Sequence, residues 1–426
     1  MNPAINQSIN SAVNPSRLFL ASCFALITTA FSFSIRAGVL PQVGTDFGLT
    51  ATQLGFINSM FFVGFPISMI IGGLIYHTVG PKRIMMVAVI AHTLGILLTI
   101  YAGGYVGLLI STFFIGFGNG CTEAACNPMI ADMYSGSKMN KMLNRFHMWF
   151  PGGLALGFLL SYAISTFTAG VSWQTQIWLI MIPTVIYAFL FFGQTFPTPR
   201  VEGVTSLAKN FQAMLTPLFL FIFCCMALTA ITEFGPQQWS TLILGKSGVS
   251  PLLILALVAG LMAIGRFFAG PIIHRFDQTG VLLGSAVFAT IGIYLFSTLT
   301  GSSAYIAAVF FAIGVCYFWP TMIGFVAQRI PLSGALGMSI VGGVGMFSTS
   351  IFQPIIGSWI DTERAAKATT GLTGDEMELA VGQATLLKMT TFPIILIFAF
   401  TVLFFLVRNR RVGVVDETLV AQQPQL

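Results

Sequence analysis

The sequence predicts an all-α membrane protein, with twelve transmembrane helices in two pseudo-symmetric six-helix bundles. Three observations carry this expectation. Hydrophobic residues make up 56% of the 426, charged residues only 8%, and mean hydropathy is +0.88. A soluble domain carries about a quarter charged residues, so most of this surface faces something other than water. Twelve stretches reach the roughly 20 apolar residues that a bilayer requires. A Gly-x-x-x-His step, Gly73 to His77, also recurs 197 residues later as Gly270 to His274.

The predicted spans are 18–40, 53–76, 84–103, 106–131, 145–168, 174–195, 214–244, 251–273, 280–299, 304–327, 335–360 and 384–407. Ahead of them, residues 1–17 form a polar tail. No small-residue cleavage site follows the first apolar run, which therefore reads as a retained span and not as a signal peptide. Residues 18–195 form the first bundle, and 196–213, the most polar stretch on the side of both termini, is the linker. Residues 214–407 form the second bundle and 408–426 a second tail. The segment 361–383, with Asp361, Glu363, Asp375, Glu376 and Glu378, reads as a solvated outer loop, with or without a short helix. The Gly/His step falls at equivalent places in the two halves, an internal repeat of one supersecondary unit.

Basic residues give the orientation. Thirteen, among them Arg17, Lys82, Arg83, Lys138 and Arg200, fall on the side that holds both termini. Four, Lys246, Arg364, Lys367 and Lys388, fall on the other. The positive-inside rule then places both termini in the cytoplasm, in a cell inner (plasma) membrane. The basic residues are scattered through short loops, which argues against nucleic acid despite a pI of 9.1. All six cysteines lie in apolar runs and read as small buried hydrophobes. No Cys/His spacing suits a metal, no nucleophile–base pair suggests an enzyme, and no cofactor is implied. Without a P-loop, the energy for transport must come from a gradient. The expected partners are a small-molecule substrate, a co-transported proton and the lipid bilayer, with the chain working as a monomer.

The chain resembles the major facilitator superfamily over essentially its whole length. The connection between the second and third spans keeps Gly73, Gly80, Lys82 and Arg83 of that superfamily's signature, with His77 in place of the usual acid and Thr78 in place of the next basic residue. Within the superfamily, Glu123-Ala-Ala-Cys-Asn127-Pro128 resembles the fourth span of the fucose and glucose/galactose permeases. Leu143-Asn144-Arg-Phe-His147 through Pro151-Gly152-Gly153 resembles their fifth. Trp319-Pro320-Thr321 and Gly342-Gly343-Val-Gly345 fit their tenth and eleventh. The resemblance implies proton-driven uptake of a sugar-like solute, with His147 reaching it. That group often has an acid in the first span, where this chain has Ala37. Arg36 through Pro41 is similar instead to the organic-anion symporters, which carry an arginine there.

Ionisable residues inside hydrocarbon cost roughly 2.5–3.5 kcal/mol each, and those retained usually line a cavity or pair. Here they are Arg36, Glu123, Glu233 and Arg266, with His92 and His147. Glu123 is expected to carry a proton or to form an ion pair with Arg36. Asn127, one turn on, shares its face and suits solute hydroxyls. Glu233 and Arg36 occupy similar places in the spans that open each half. They are expected to pair across an outer gate, unless Arg36 holds a substrate carboxylate. Asn144 and His147 share one helix face as solute contacts. Gln237, Gln238 and Trp239 follow a predicted break at Gly235-Pro236 and suit a sugar, as does Trp319. Arg266 is expected to pair with Asp132 at an inner gate that also holds His77, Lys82, Arg83, His274 and Arg275. The sequence thus predicts a proton-coupled secondary transporter of a sugar-like solute working by alternating access. The alternatives are a small organic anion as substrate, or uniport.

Overall fold

The computed structural model describes residues 12–134, 136–168, 170–199 and 207–408. Most of both tails and residues 200–206 of the expected linker lie outside the described residues. The architecture is all-helical. Among the described residues eleven helices are long and apolar enough to cross a membrane, and Pro251–Phe267 is a shorter apolar twelfth. Local chemistry sets several ends. The first span, Pro15–Phe47, starts where the Asn14 side chain accepts from the Arg17 N–H and Pro15 occupies the first turn. It stops at Gly48, whose φ of 60° is left-handed. The second, Ala51–Val79, opens on a reciprocal Thr50/Gln53 capping box.

The third, fourth and sixth spans are Pro81–Ile100, Tyr105–Met133 and Trp173–Phe191. The fifth is two helices, Gly136–His147 and Trp149–Phe167. A short helix, Leu207–Met214, precedes the seventh span, Pro217–Ile243. The eighth is Pro251–Phe267, the ninth Ala269–Thr298, and the tenth the pair Ala304–Cys316 and Phe318–Arg329. The eleventh is Gly334–Ala368, and the twelfth comprises Gly374–Met389 and Thr391–Arg408. In the first half the second span packs on the fourth, the fourth on the third, and the first on the fifth and sixth. In the second half the tenth packs on the eighth and ninth, and the seventh on the eleventh. The halves meet along three seams: second with eleventh, fifth with eighth, first with seventh.

Three expectations are corrected. The seventh span is not broken at Gly235-Pro236; its helix runs through Pro236 without interruption. A proline inside a membrane helix costs one backbone hydrogen bond without requiring a break. The segment 361–383 is mostly helical, which exceeds the expected solvated loop with or without a short helix. The eleventh span continues to Ala368 and the next helix starts at Gly374, because the charges neutralise one another in pairs: Arg364–Glu378 at 2.7 Å, Lys388–Glu363 at 2.7 Å and Lys246–Asp375 at 2.8 Å. Of the six cysteines, Cys224 is exposed and not buried.

The internal repeat extends to the backbone. Gly80 ends the first Gly/His step with φ 82° and ψ 156°. The residue 197 positions later, Asp277, kinks the ninth span with φ 59° and ψ 161°. This is the region that glycine occupies at little cost, and Asp277 is the one non-glycine residue with positive φ among the described residues.

Candidate substrate pathway between the halves

The helix ends divide into a termini face, where the first span starts and the twelfth ends, and a far face. On the far face the halves are fastened together. Asp361 of the eleventh span caps the second span. Its carboxylate accepts from the Ala51 N–H at 3.0 Å, the Thr52 N–H at 2.8 Å and the Thr52 hydroxyl at 2.6 Å. An anion at a helix N-terminus satisfies orphan donors and opposes the helix dipole. Arg364, gripped by both Glu378 oxygens, stands 3.7 Å from Asp361. The two spans can approach this closely because Gly55 and Gly357 face the partner helix; a Cβ on either would strike its backbone. On the neighbouring seam the Thr241 hydroxyl donates to the Ala37 carbonyl at 2.6 Å.

Deeper in, an aromatic layer bridges the halves. The Phe33 ring lies 4.6 Å from Phe61, 5.5 Å from Phe62, 5.4 Å from Phe150 and 5.6 Å from Phe234. Phe234 in turn meets Trp319 edge-on at 6.5 Å. Arg36 follows Phe33 on the first span and is 5% exposed. One Nη donates to Asn58 Oδ1 at 3.1 Å, and the guanidinium lies 4.3 Å from the Phe61 centroid. The other, Nη1, is buried with no partner, as is the Asn58 amide nitrogen. Arg36 also lines a narrow cleft whose other walls include Val39, Val43, Ile57, Thr112 and Trp173. The expected ion pairs of Arg36 with Glu123 or Glu233 are therefore absent, since both acids are engaged elsewhere.

Glu233, on the seventh span, stands 3.8 Å from Arg266 on the eighth. Arg266 also donates from Nε to the Cys316 carbonyl at 3.0 Å, at the break in the tenth span. The expected Arg266–Asp132 pair gives way to this arrangement; Asp132 accepts a 2.6 Å hydrogen bond from Tyr76 of its own half. Glu123 is half-buried and accepts from the Asn127 amide at 2.6 Å, so the two share a face as the spacing required. The His147 ring is exposed beside Asn144 at the end of the first helix of the fifth span. It lies within electrostatic range of both Glu123 and Arg266, which brings fourth, fifth and eighth spans to one locus.

Gln237, Gln238 and Trp239 are all buried in the continuous seventh span. Gln237 reaches only the Met262 sulfur at 4.0 Å, while Gln238 Oε1 and Trp239 Nε1 have no partner. Trp319 is half-buried against Gly342 and Gly345. At the termini face His77, Lys82, Arg83, His274 and Arg275 are exposed. His92 is structural: its ring is bracketed by the Tyr187 hydroxyl at 2.8 Å and Asn119 Oδ1 at 2.9 Å, and Asn119 donates to Ser32 at 2.9 Å. No metal-binding cluster of His, Cys, Asp or Glu exists among the described residues. Sequence reasoning missed Asn58, Tyr317 and the capping role of Asp361. Only Asp361 left a signal, as an acid just past an apolar run.

A helical membrane bundle of two halves, with buried charges along the seam between them, defines a solute carrier. The chain belongs to the Major Facilitator Superfamily, whose family model matches residues 22–352. It is 22% identical over 347 residues to the hexuronate transporter of Bacillus subtilis (strain 168), covering 77% of this chain and 79% of that one. It is 23% identical over 332 residues to myo-inositol transporter 1 of Candida albicans (strain SC5314 / ATCC MYA-2876), covering 73% of this chain and 58% of that one. In fold it is similar to the inward-facing, unoccupied bacterial homologue of the human lysosomal transporter Spinster. That likeness has a TM-score of 0.76 at 15% identity and covers 91% of this chain and 96% of that one.

Proposed function

We propose that this carrier imports a small hydroxylated organic anion, of the sugar-acid class, together with a proton. The observation that carries the reading is Arg36. A guanidinium withdrawn from water without a carboxylate partner costs several kcal/mol, and its Nη1 is left without any acceptor. An anionic solute supplies the missing counter-ion and a bidentate partner. The unpartnered amide and indole groups of Gln238 and Trp239, with Asn127, Asn144, Gln237, His147 and Trp319, suit hydroxyl groups and the apolar face of a sugar ring. The hexuronate-transporting relative carries a solute with both features in its name, and the inositol-transporting one a polyol. In this reading the carboxylate class displaces the neutral sugar as the lead.

Glu123 is the proton carrier, since it is half-buried near His147 and free of any arginine at ion-pair distance among the described residues. The termini face is cytoplasmic, on the distribution of basic residues, and the far face with its Asp361 cap is the closed external gate. His77, Lys82, Arg83, Asp132, His274 and Arg275 belong to the internal gate, the division between halves falls in 196–213, and the chain works as a monomer. The test is a thermal-shift comparison of purified protein with glucuronate and with glucose. Glucuronate stabilising the wild type but not Arg36→Gln supports the reading. Glucose stabilising both proteins, with glucuronate inert, overturns it in favour of a neutral sugar.

A further inference from the structure

The tenth span breaks at Tyr317, between Ala304–Cys316 and Phe318–Arg329. Its cause is written in the sequence. Pro320 has no N–H, so the carbonyl four residues earlier, that of Cys316, lacks its helical donor. One contact from the eighth span fills the gap, and a second, to that span, braces the turn. Arg266 Nε donates to the Cys316 carbonyl at 3.0 Å, and the Tyr317 hydroxyl donates back to the Gly265 carbonyl at 3.0 Å. The same guanidinium faces Glu233 of the seventh span at 3.8 Å. Three spans therefore meet on one side chain, and the turn it braces carries Trp319, whose ring lies against Gly345 and Phe234.

We propose that Arg266 is a positioning residue that transmits the charge state of Glu233 to Trp319 through the carbonyl that Pro320 leaves free. With Glu233 ionised, the guanidinium is drawn toward the seventh span and holds the Cys316 carbonyl on the way. With Glu233 neutral, that attraction is lost. The guanidinium is then released from the seventh span. The Cys316 carbonyl loses its donor, the break loosens and Trp319 moves. The charged and titratable groups around Glu233 and Arg266 are Cys316 and Tyr317 from the tenth span, with His147 from the fifth in electrostatic range of Arg266 and, separately, of Glu123 on the fourth. Arg36, on the first span, is held by Asn58 and Phe61 instead. The inference rests on the carrier reading only in taking Trp319 as a solute contact.

Tryptophan quenching by acrylamide, measured on full-length purified protein without solute from mildly acidic to mildly alkaline buffer, tests it. Wild type shows a pH-dependent component that disappears in Trp319→Phe, assigning it to that ring. The same component is lost in Glu233→Gln and in Arg266→Gln. Pro320→Ala, which returns the missing N–H to Cys316 and leaves both charges in place, abolishes it as well. This variant keeps the test sharp if removing either charge impairs folding. A pH response that persists in full in Glu233→Gln or in Pro320→Ala overturns the proposal, as does a wild type whose Trp319 quenching ignores pH. Because no solute is present, failure here leaves the organic-anion reading standing, and failure of glucuronate binding leaves this one standing.

Discussion

At the scale of single residues, Arg36 and Asp277 make opposite statements about cost. Arg36 is a buried charge with one hydrogen-bond partner, Asn58, and one aromatic face, Phe61. Replacing it with Gln removes a desolvated charge. The variant should therefore fold at least as stably as wild type yet lose affinity for glucuronate. A charge-assisted hydrogen bond contributes about 1.5–3 kcal/mol, or about 10- to 150-fold in Kd. Isothermal titration reads the affinity, and thermal unfolding of the same sample reads the stability. Asp277 holds a glycine-like backbone conformation at φ 59° and ψ 161°. Asp277→Gly should relieve about 1 kcal/mol or more of backbone strain, seen as a higher Tm in detergent. An unchanged or lower Tm would mean that the Thr279 hydroxyl bond to Asp277, at 3.2 Å, matters more than the strain.

Among the elements, the seam between second and eleventh spans is the one most directly open to experiment. Asp361 accepts from two backbone N–H groups and one hydroxyl of the second span at once. Asp361→Asn keeps the shape but removes the charge that opposes the helix dipole, worth about 0.3–1 kcal/mol, together with one of the two acceptor oxygens. A cysteine introduced as Thr241→Cys, in a Cys224→Ala background, should then react several-fold faster with a membrane-impermeant maleimide. Equal rates would show that the cap does not hold this face closed. His92 ties the third span to the fourth and sixth through Asn119 and Tyr187. His92→Ala should cost about 2–4 kcal/mol, because two buried polar groups lose their partner and a cavity opens. Urea or heat denaturation of the detergent-solubilised protein measures it.

The same elements show what sequence makes legible. Span positions were legible because a stretch of about 20 apolar residues has few alternatives in a bilayer. The shared face of Glu123 and Asn127 followed from helical spacing alone. The two prolines were not distinguishable: Pro236 sits inside a continuous helix, whereas Pro320 falls in the first turn of a new one after Tyr317. The difference lies in whether a neighbouring span supplies a donor, as Arg266 does. Partners of buried charges were misassigned for the same reason. Which of Glu123, Glu233 or Asp132 an arginine meets depends on how each helix is rotated about its axis, and the helices that carry these acids are apolar on most sides. The acids of 361–383 looked like a loop because their pairing with Arg364, Lys388 and Lys246 is tertiary.

For the whole molecule, the two halves repeat one another down to the turn at Gly80 and Asp277, and they meet through a closed far face, an aromatic layer and a charged locus beyond it. On the proposed reading the parts follow the order that alternating access needs: Asp361 as a gate whose release opens the far face, Arg36 as the anion site, and the carboxylates Glu123 and Glu233 on the way to the other face. Uptake of radiolabelled glucuronate into proteoliposomes under an imposed pH gradient tests this most directly. The account predicts accumulation in wild type that collapses when the gradient is dissipated and is lost in Arg36→Gln. Accumulation of glucuronate by Arg36→Gln at the wild-type rate would contradict it.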